Sequence, residues 1–506
     1  MLVGDAGAVR ELTDPDSEVA PCALSWAHIL DSDFDAGETA ARAGADFPAR
    51  AAGLLAATMA GRAEPGALEL LTDEALSLSP ADLGEWDVWG GCLLGEAGMS
   101  AGRLELAETI ARHTLSLSKP EDDTLIFAGQ TLGRALLFQG RLDESTQVLS
   151  ATERQQGYPT IGVLALVVNA AGAYIAALVD DRASVDRRAD DIEGAVGCPD
   201  SYVTRGAFVL VAYALAAAGR GERAARVLLQ HAGGPELSAL QTVDRVYGYE
   251  LLIAAALSVG DLRNARSWLE LAERVPDPSP MAGAALARSA ARVAVAEGRH
   301  RDSADEAARA AELADGRAGH LDATRARLLS ASALLMDGDS EQAQRRLIDA
   351  GVQATRMGAI SLTLLARRDL RSIGLRFAGA EQTPMSERER EVAELVIAGL
   401  SDAEIARELS LSQRTVHGHV GAVLRALGVP SRASLARSLG ASRTGDQRAL
   451  TGRQRQVAEL VSRGFTNDGI ARELGVSVKT VEKHIGDAYQ RLGVRSRAAL
   501  AAAVLD

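Results

Sequence analysis

Apolar residues recur at helical spacing, in paired segments, from about residue 45 to about residue 378. In each pair a mostly apolar segment comes first, a tight turn follows, and a more charged amphipathic segment comes second. In one representative pair the first helix ends at Gly260 and the second before Pro276, and the predicted core faces contain Leu251, Ala255 and Val259, followed by Leu262, Ala265, Leu269 and Ala272. The pattern predicts helix pairs joined by short turns.

The turns themselves repeat about every 40 residues, a period typical of helical-pair solenoids. They fall at Gly61-Arg62, Gly102-Arg103, Gly140-Arg141, Asp181-Arg182, Gly219 to Gly221, Gly260-Asp261, Gly298-Arg299 and Gly338-Asp339. A single pair cannot bury its apolar stripe, whereas stacked neighbours can. We therefore predict an α-solenoid of about eight helix pairs over residues 45–378, and residues 1–44 stay unassigned.

One segment of the solenoid, Ile161 to Val179, carries no charge and is long enough to be considered as a membrane span. It contains Asn169 and two glycines, and it lies in phase with the repeat. We interpret it as a buried solenoid helix and expect no contact with a membrane.

Four short helices are predicted from Thr451 to Leu505. Thr451 and Gln454 form a capping-box pattern for the first, which Gly464 ends. The second covers residues 467–474, the third runs from Val478 to about Leu492 after the cap residue Ser477, and the fourth begins at Ser496. The second and third helices, with a short turn between them, form a helix-turn-helix, whose second helix enters the DNA major groove in known examples.

A second copy of this stretch precedes it. Pairing Met385 with Leu450 aligns the two copies without a gap. Ile405-Ala406-Arg407-Glu408-Leu409 then matches the sequence at 470–474, and Ser412, Thr415, Val416 and His419 match Ser477, Thr480, Val481 and His484. The sequence therefore predicts two tandem domains, at 384–440 and 450–506, with linkers at 379–384 and 440–449.

Four motifs occur together in the last copy: T-x-R-x-x-x-V, G-x-[ST]-N-x-x-I-A-x-x-L, S-x-x-T-V-x-x-H and R-L-G-V-x-S-R. The combination resembles the LuxR/NarL-type helix-turn-helix of bacterial-type transcriptional regulators. By period and pattern, the preceding region resembles the TPR-like solenoid of regulators of the MalT kind. The resemblance implies an all-α protein. Large members of that group carry an ATPase ahead of the solenoid, and we expect none here because the sequence begins too late to hold one.

Charge is divided unevenly along the chain, whose formal net charge is -14. Residues 384–506 hold 18 Arg and Lys against 14 Asp and Glu, so the rest of the chain carries a net charge of -18. The second copy (451–506) has 9 basic and 6 acidic residues, and the first (384–440) has 7 of each. We expect the second copy to be the better electrostatic match to phosphate.

The family resemblance assigns the DNA contacts to the third helix of each copy and its flanks. Of the three lysines in the chain, two, Lys479 and Lys483, lie four residues apart on this helix in the second copy. The predicted contacts of that copy are Glu482, Lys483 and Gly486 towards bases, with Ser477, Lys479, Thr480, His484, Thr466, Asn467 and Arg491 around them. Those of the first copy are Ser412, Arg414, Thr415, His417, Gly418 and His419.

The first copy is expected to be the weaker reader of DNA sequence. Gly418 and Gly421 offer no base contact and lower helix propensity by about 1 kcal/mol each relative to alanine. His417 and His419 lie two residues apart on a helix, point in different directions and have no cysteine near them, so no metal site is expected. In the family, the fourth helix makes dimer contacts, which assigns that role to Leu435, Leu439, Leu500 and Val504.

No catalytic constellation is evident, and the chain is not expected to be an enzyme or to need a cofactor. The three cysteines are isolated, which is consistent with a reducing cytoplasm. The expected function is transcriptional regulation, with double-stranded DNA, and RNA polymerase as a further candidate partner, at the tandem tail. A small molecule, a protein partner or a second copy in a homo-oligomer would bind the solenoid. The alternative is a protein-interaction scaffold whose helix-turn-helix copies no longer select DNA.

Overall fold

The computed structural model shows two compact units, Met1–Phe377 and Ala378–Asp506. It describes residues 5–373 apart from 16, 81–82, 85, 120–122, 156–161, 196–199, 277–278 and 318, and then residues 388, 391–392, 395, 400, 402–409, 411–427, 452–462, 470–471, 474 and 476–492. Throughout these ranges the regular structure is helical, and no strand occurs. The all-α prediction is confirmed.

The helices of the first unit follow one another with short connections. They are α1 (Ala6–Leu12), α2 (Ala20–Leu30), α3 (Phe34–Ala41), α4 (Phe47–Met59), α5 (Ala67–Ser77), α6 (Asp87–Ser100), α7 (Leu104–Leu117), α8 (Asp123–Phe138), α9 (Leu142–Glu153), α10 (Val163–Leu178), α11 (Arg182–Glu193), α12 (Tyr202–Ala217), α13 (Gly221–His231), α14 (Thr242–Ser258), α15 (Leu262–Glu273), α16 (Pro280–Ala296), α17 (His300–Asp315), α18 (His320–Asp337), α19 (Ser340–Met357) and α20 (Ile360–Ser372).

Helices α4 to α19 form successive pairs, and the predicted turns separate the two members of each pair. Most of these turns place a glycine at positive φ, for example Gly140 at 79° and Gly260 at 78°, a conformation that only glycine adopts without strain. In the α10–α11 turn the residue at positive φ is Asp180, at 60°, and Asp181 instead caps α11 by accepting a hydrogen bond from the backbone N–H of Ser184. The predicted TPR-like solenoid is confirmed.

The two helices of a pair are buried to different extents. Almost every residue of α10 is buried, including the two neighbours of Asn169 in the sequence. In α11, by contrast, only Val185, Ala189 and Ile192 are buried. The first helix of each pair packs against helices on several sides, and the second covers it on one face. Val259 was assigned to a core face and this was wrong: it follows the last residue of α14 and is 79% exposed.

Residues 5–44, which the sequence pattern left unassigned, add helices α1 to α3 to the same hydrophobic core. The indole of Trp26 in α2 is the centre of an aromatic cluster, with ring-centre distances of 5.7 Å to Trp89, 5.8 Å to Phe127 and 5.7 Å to Tyr202. Because Tyr202 belongs to α12, this cluster joins helices that are far apart in the sequence.

The uncharged segment around α10 is a solenoid helix with a buried surface. Among the described residues, no helix combines the length and apolar character that a bilayer-spanning segment requires.

Candidate nucleic-acid interface

The second unit contains four helices within the residues that the structure describes. They are α21 (Asp402–Glu408), α22 (Gln413–Leu427), α23 (Gly452–Ser462) and α24 (Val478–Leu492). Helices α22 and α24 are the third helices of the two predicted copies, and α24 has the predicted bounds.

A small apolar core positions α24 against the helix before it. Its buried members are Val457, Ala458, Leu460, Ile470, Ala471, Val481, Ile485 and Ala488, with Leu474 and Val476 packed at the edge. The backbone N–H of Val476 donates to the carbonyl oxygen of Ala471 at 3.0 Å, two residues before α24 begins. Val481, Ile485 and Ala488 of α24 thus face inwards, whereas Val478 in its first turn is exposed.

The first copy has the same core, 65 residues earlier in the chain. Its buried members are Val392, Ile405, Ala406, Val416 and Val420, with Leu395, Leu400, Leu409 and Leu411 packed against them. The N–H of Leu411 donates to the carbonyl oxygen of Ala406 at 2.8 Å, as the equivalent groups do in the second copy.

A serine caps the third helix in both copies. The Oγ of Ser477 accepts a hydrogen bond from the backbone N–H of Thr480 at 3.1 Å and lies 2.8 Å from the Thr480 Oγ1. Ser412 and Thr415 repeat this geometry at 3.1 Å and 2.7 Å. Such caps satisfy backbone donors that have no partner within the helix and leave the remaining donors of the first turn facing outwards.

An arginine in each copy donates to a backbone carbonyl three residues before the serine that caps the third helix, a contact that the sequence pattern did not indicate. The Nη2 of Arg453 donates to the carbonyl oxygen of Leu474 at 2.7 Å, and its Nη1 donates to the Gln456 Oε1 at 3.0 Å. Arg388 makes the equivalent bond to the carbonyl of Leu409. The signal was present in the arginine of the T-x-R-x-x-x-V motif, but its partner is a backbone atom that no sequence pattern names.

The outer face of α24 carries the predicted contact residues of the second copy. Ser477, Lys479, Lys483 and Gly486 are exposed, and Thr480 and His484 are half-buried. Gly486 has no atom within 4 Å of the position that a Cβ would take. The structure therefore places both lysines and an open glycine position on one side of the helix, with the serine cap at its start.

The same face of α22 carries no lysine. Ser412, Thr415, His417 and Gly418 are exposed, and His419 is half-buried. The Nδ1 of His417 lies 3.3 Å from the Asp402 Oδ2. Neither Gly418 nor Gly421 has a neighbour within 4 Å of its Cβ position, so this surface is open but offers few chemical groups.

Both copies match the family model described as "Bacterial regulatory proteins, luxR family", at residues 383–439 and 448–504. The chain carries two tandem LuxR-family helix-turn-helix domains. A stretch of 67 residues, 13% of the chain, is 42% identical to the transcriptional regulatory protein UhpA of Escherichia coli K12, and 64 residues are 44% identical to UhpA of Salmonella typhimurium LT2. These matches cover 34% and 33% of the relatives, so the chain matches about a third of their length.

Several predicted contacts of the two LuxR-family domains lie outside the described residues. They are Thr466 and Asn467, the side chains of Arg414, Glu482 and Arg491, and the fourth-helix residues Leu435, Leu439, Leu500 and Val504. Their roles stay predictions. In the part of the chain that is described, no three His, Cys, Asp or Glu residues form a group that could hold a metal ion.

Proposed function

We propose that this chain is a cytoplasmic, non-catalytic transcriptional regulator. Its tandem LuxR-family domains bind promoter DNA, and its solenoid responds to a ligand or protein partner or self-associates. One observation carries the proposal: Lys479 and Lys483 stand exposed on the helix that would enter the major groove, beside the Ser477 cap. UhpA, to which the tail is similar, is named a transcriptional regulatory protein.

The two domains divide the work of binding in this proposal. In the second domain Lys483 donates to a guanine, and Lys479, Ser477 and Thr480 contact phosphates. The first domain contributes phosphate contacts through Ser412 and its neighbours, and pairs with the second through the fourth helices. Contacts with RNA polymerase follow once the tail is on the promoter.

The exposed face of α22 supports a second candidate function, that of a protein-interaction scaffold. The exposed Gly418 and the half-buried Gly421 present no side chain to a base, and Glu482 adds a negative charge to α24. These features favour a scaffold whose solenoid binds other proteins and whose tail does not select DNA sequences.

Selection of duplex DNA from a random pool by the full-length protein separates the two functions. A regulator enriches a defined sequence, with affinity that falls as salt rises, whereas a scaffold enriches none. Lys483→Ala should weaken binding to the enriched sequence by about tenfold, since one good base contact contributes about 1–3 kcal/mol.

The third lysine supplies the matched control. Lys119 is exposed in the solenoid, and Lys119→Ala removes the same charge from the whole chain without touching either helix-turn-helix. It should leave affinity and selectivity unchanged. Equal losses in both variants would show that net charge alone governs binding, and the assignment of Lys483 would then be withdrawn.

A further inference from the structure

The solenoid encloses a cavity lined by residues of α6, α8, α10, α12, α14 and α18. The space between its walls is about 1000 Å³ when the solvent at its mouth is included, of which about 100 Å³ admits the centre of a water molecule. Aromatic side chains form much of the wall: Phe127, Phe138, Tyr174, Tyr202, Tyr213 and Tyr247. Concave sites with apolar, aromatic walls and a few fixed polar groups are typical of small-molecule binding.

A polar cluster lies on one side of the cavity, deep in the fold. The carboxylate of Glu96 in α6 accepts hydrogen bonds from the Gln130 Nε2 at 2.9 Å, from the Thr131 Oγ1 and from the guanidinium of Arg134, all three in α8. Glu96 and Gln130 are almost entirely buried. This network fixes the amide and guanidinium groups in place before any ligand binds.

One acceptor of this cluster has no partner. Gln130 is 1% exposed and lines the cavity, yet its Oε1 makes no hydrogen bond among the described residues. Rotating the amide by half a turn does not solve this, because Glu96 accepts hydrogen bonds and needs the Nε2 group towards it. A buried acceptor left without a donor costs about 1–3 kcal/mol, so a donor that enters the cavity would recover that energy.

A donor in the described part of the cavity wall is also left without a partner. The Nε of Arg134 is buried and makes no hydrogen bond within the described ranges. Tyr174, Tyr202 and Tyr213 also line the cavity, and the hydroxyl of Tyr213 donates to the Glu250 Oε2 at 2.9 Å. Burial, reinforced by the nearby Glu96, holds the pKa of Tyr202 well above its ordinary value, so its hydroxyl keeps its proton.

The charges in the wall are balanced. Two carboxylates, Glu96 and Asp244, and two guanidinium groups, Arg134 and Arg325, line the cavity, and Asp244 accepts a hydrogen bond from the Gln241 Nε2 at 2.8 Å. Arg134 is bound to Glu96, and Arg325 donates to the Asp322 Oδ1 at 2.9 Å. A charged ligand would therefore enter without a counter-charge, and an unpaired charge in an apolar site is costly.

We propose that this cavity binds an uncharged, aromatic or largely apolar small molecule that carries at least one N–H or O–H donor. The donor bonds to the Gln130 Oε1, and the aromatic walls hold the rest of the molecule. Regulation of the DNA-binding tail by this ligand rests on the proposed function, whereas binding in the cavity does not.

Because of where the cavity lies, a bound ligand would hold distant helices of the solenoid together. The walls come from helices that are far apart in the sequence, and one direct bond between them, from the Ser100 Oγ to the Gln241 Oε1 at 2.9 Å, crosses the gap beside the cavity. A molecule that contacts α8 and α12 at once stabilises the arrangement in which both walls are close.

The test uses two fluorescent probes with one skeleton. N-phenyl-1-naphthylamine is uncharged and has a single N–H donor, and 1-anilinonaphthalene-8-sulfonate adds a sulfonate. Titrated into the full-length protein, the first probe should bind in a saturable way and at least about tenfold more tightly than the second, a difference of about 1.4 kcal/mol. Equal affinity for both probes, or no saturable binding of the uncharged one, would overturn the proposal.

Variants at Gly206 show whether the probe occupies this cavity. Gly206 lies in α12 at the cavity wall, and the nearest atom to its Cβ position is the Asp244 Oδ2 at 4.0 Å. Gly206→Ala, Gly206→Leu and Gly206→Phe should weaken probe binding progressively, by less than about twofold for alanine and more than about tenfold for phenylalanine. Each change removes a glycine from a helix interior, which favours folding.

The result that would contradict this placement is probe affinity that does not change along the series while each variant keeps its helical circular dichroism. Measuring DNA affinity with and without the probe then separates the two proposals. If the protein binds no DNA either with or without the probe, the proposed function is refuted and the cavity site stands. If it binds DNA but does not bind the probe, the cavity site is refuted and the proposed function stands.

Discussion

The two LuxR-family domains keep one framework and differ in the surface built upon it. With a constant offset of 65 residues, Arg388 corresponds to Arg453 and Ser412 to Ser477, and each member of these pairs makes the same bond in its own domain. The buried residue Val416 likewise corresponds to Val481. In both domains, therefore, the residues that hold the helices together are of the same type and make the same contacts.

The outward positions of the third helix have changed. Gly418 stands where the second domain has Lys483, and His417 stands where it has Glu482. An added Cβ at Gly418 or Gly421 would meet no atom within 4 Å, so close packing at the Cβ position does not require glycine there. The residues that fold the domain and those that would contact DNA are therefore separable. Equivalent substitutions among the residues that hold the helices together should lower the stability of both domains equally, whereas equivalent substitutions on the exposed face should change DNA affinity unequally.

The largest expected effect is a loss of domain stability when Arg453 or Arg388 is replaced. Arg453→Ala and Arg388→Ala each remove a hydrogen bond from a charged donor to a carbonyl, which should cost its domain about 1.5–3 kcal/mol of unfolding free energy. Amide hydrogen exchange in α24 and α22 of the full-length protein measures the two losses separately. Arg407→Ala, which changes an exposed arginine of the first domain, is the control and should have little effect.

A loss of stability in only one of the two domains would contradict the equivalence of their frameworks. If Arg388→Ala left exchange in α22 unchanged while Arg453→Ala accelerated it in α24, the frameworks would not be equivalent in energy, even though the contacts are.

Much of this framework could be predicted from the sequence because its signals are local. Glycine at the turns, serine before a helix and apolar residues at helical spacing each act within a few residues, and they located the solenoid turns and the bounds of α24. Val259 shows the limit of that reasoning: it continues the apolar spacing of α14, but the helix ends one residue before it.

Other features depend on contacts between distant parts of the chain, which periodicity does not contain. Residues 5–44 have weak patterns, yet Trp26 packs against rings from α6, α8 and α12. The cavity arises in the same way, because Gln130 and Gly206 are ordinary solenoid residues until the fold places them in one wall. The bond from Arg453 to the Leu474 carbonyl is a further case, since its acceptor belongs to the backbone.

The serine caps offer a smaller test of equivalence. Ser477→Ala and Ser412→Ala should each cost about 1 kcal/mol of helix stability, because the N–H of the threonine three residues later loses its acceptor. Hydrogen exchange in the first turn of α24 and α22 measures this cost. Glycine at the same positions is the control, since it tolerates the cap conformation and should cost only a few tenths of a kcal/mol.

DNA affinity should separate the two serine variants if the second domain is the better reader. Ser477→Ala should weaken binding more than Ser412→Ala does, although both helices lose similar stability. Equal weakening would assign the two domains equal shares of the interface and would remove the distinction drawn between them.

The smallest predicted effect is a gain. Gly418→Lys places in α22 the residue that α24 has at Lys483, at a site where an added Cβ meets no atom within 4 Å. One further positive charge beside the duplex should raise affinity for DNA by about threefold at moderate salt and steepen the dependence of the logarithm of affinity on the logarithm of salt concentration by about 1.

The control for this gain is Gly418→Ala, which supplies the same increase in helix propensity, about 1 kcal/mol, without the charge. If alanine raises affinity as much as lysine does, then a poorly formed α22 is what limits the first domain. If lysine alone raises the affinity, then α22 is already formed and lacks only a positive charge that faces the duplex. If neither does, α22 does not reach the duplex, and the first domain serves the tail in another way, such as pairing with the second.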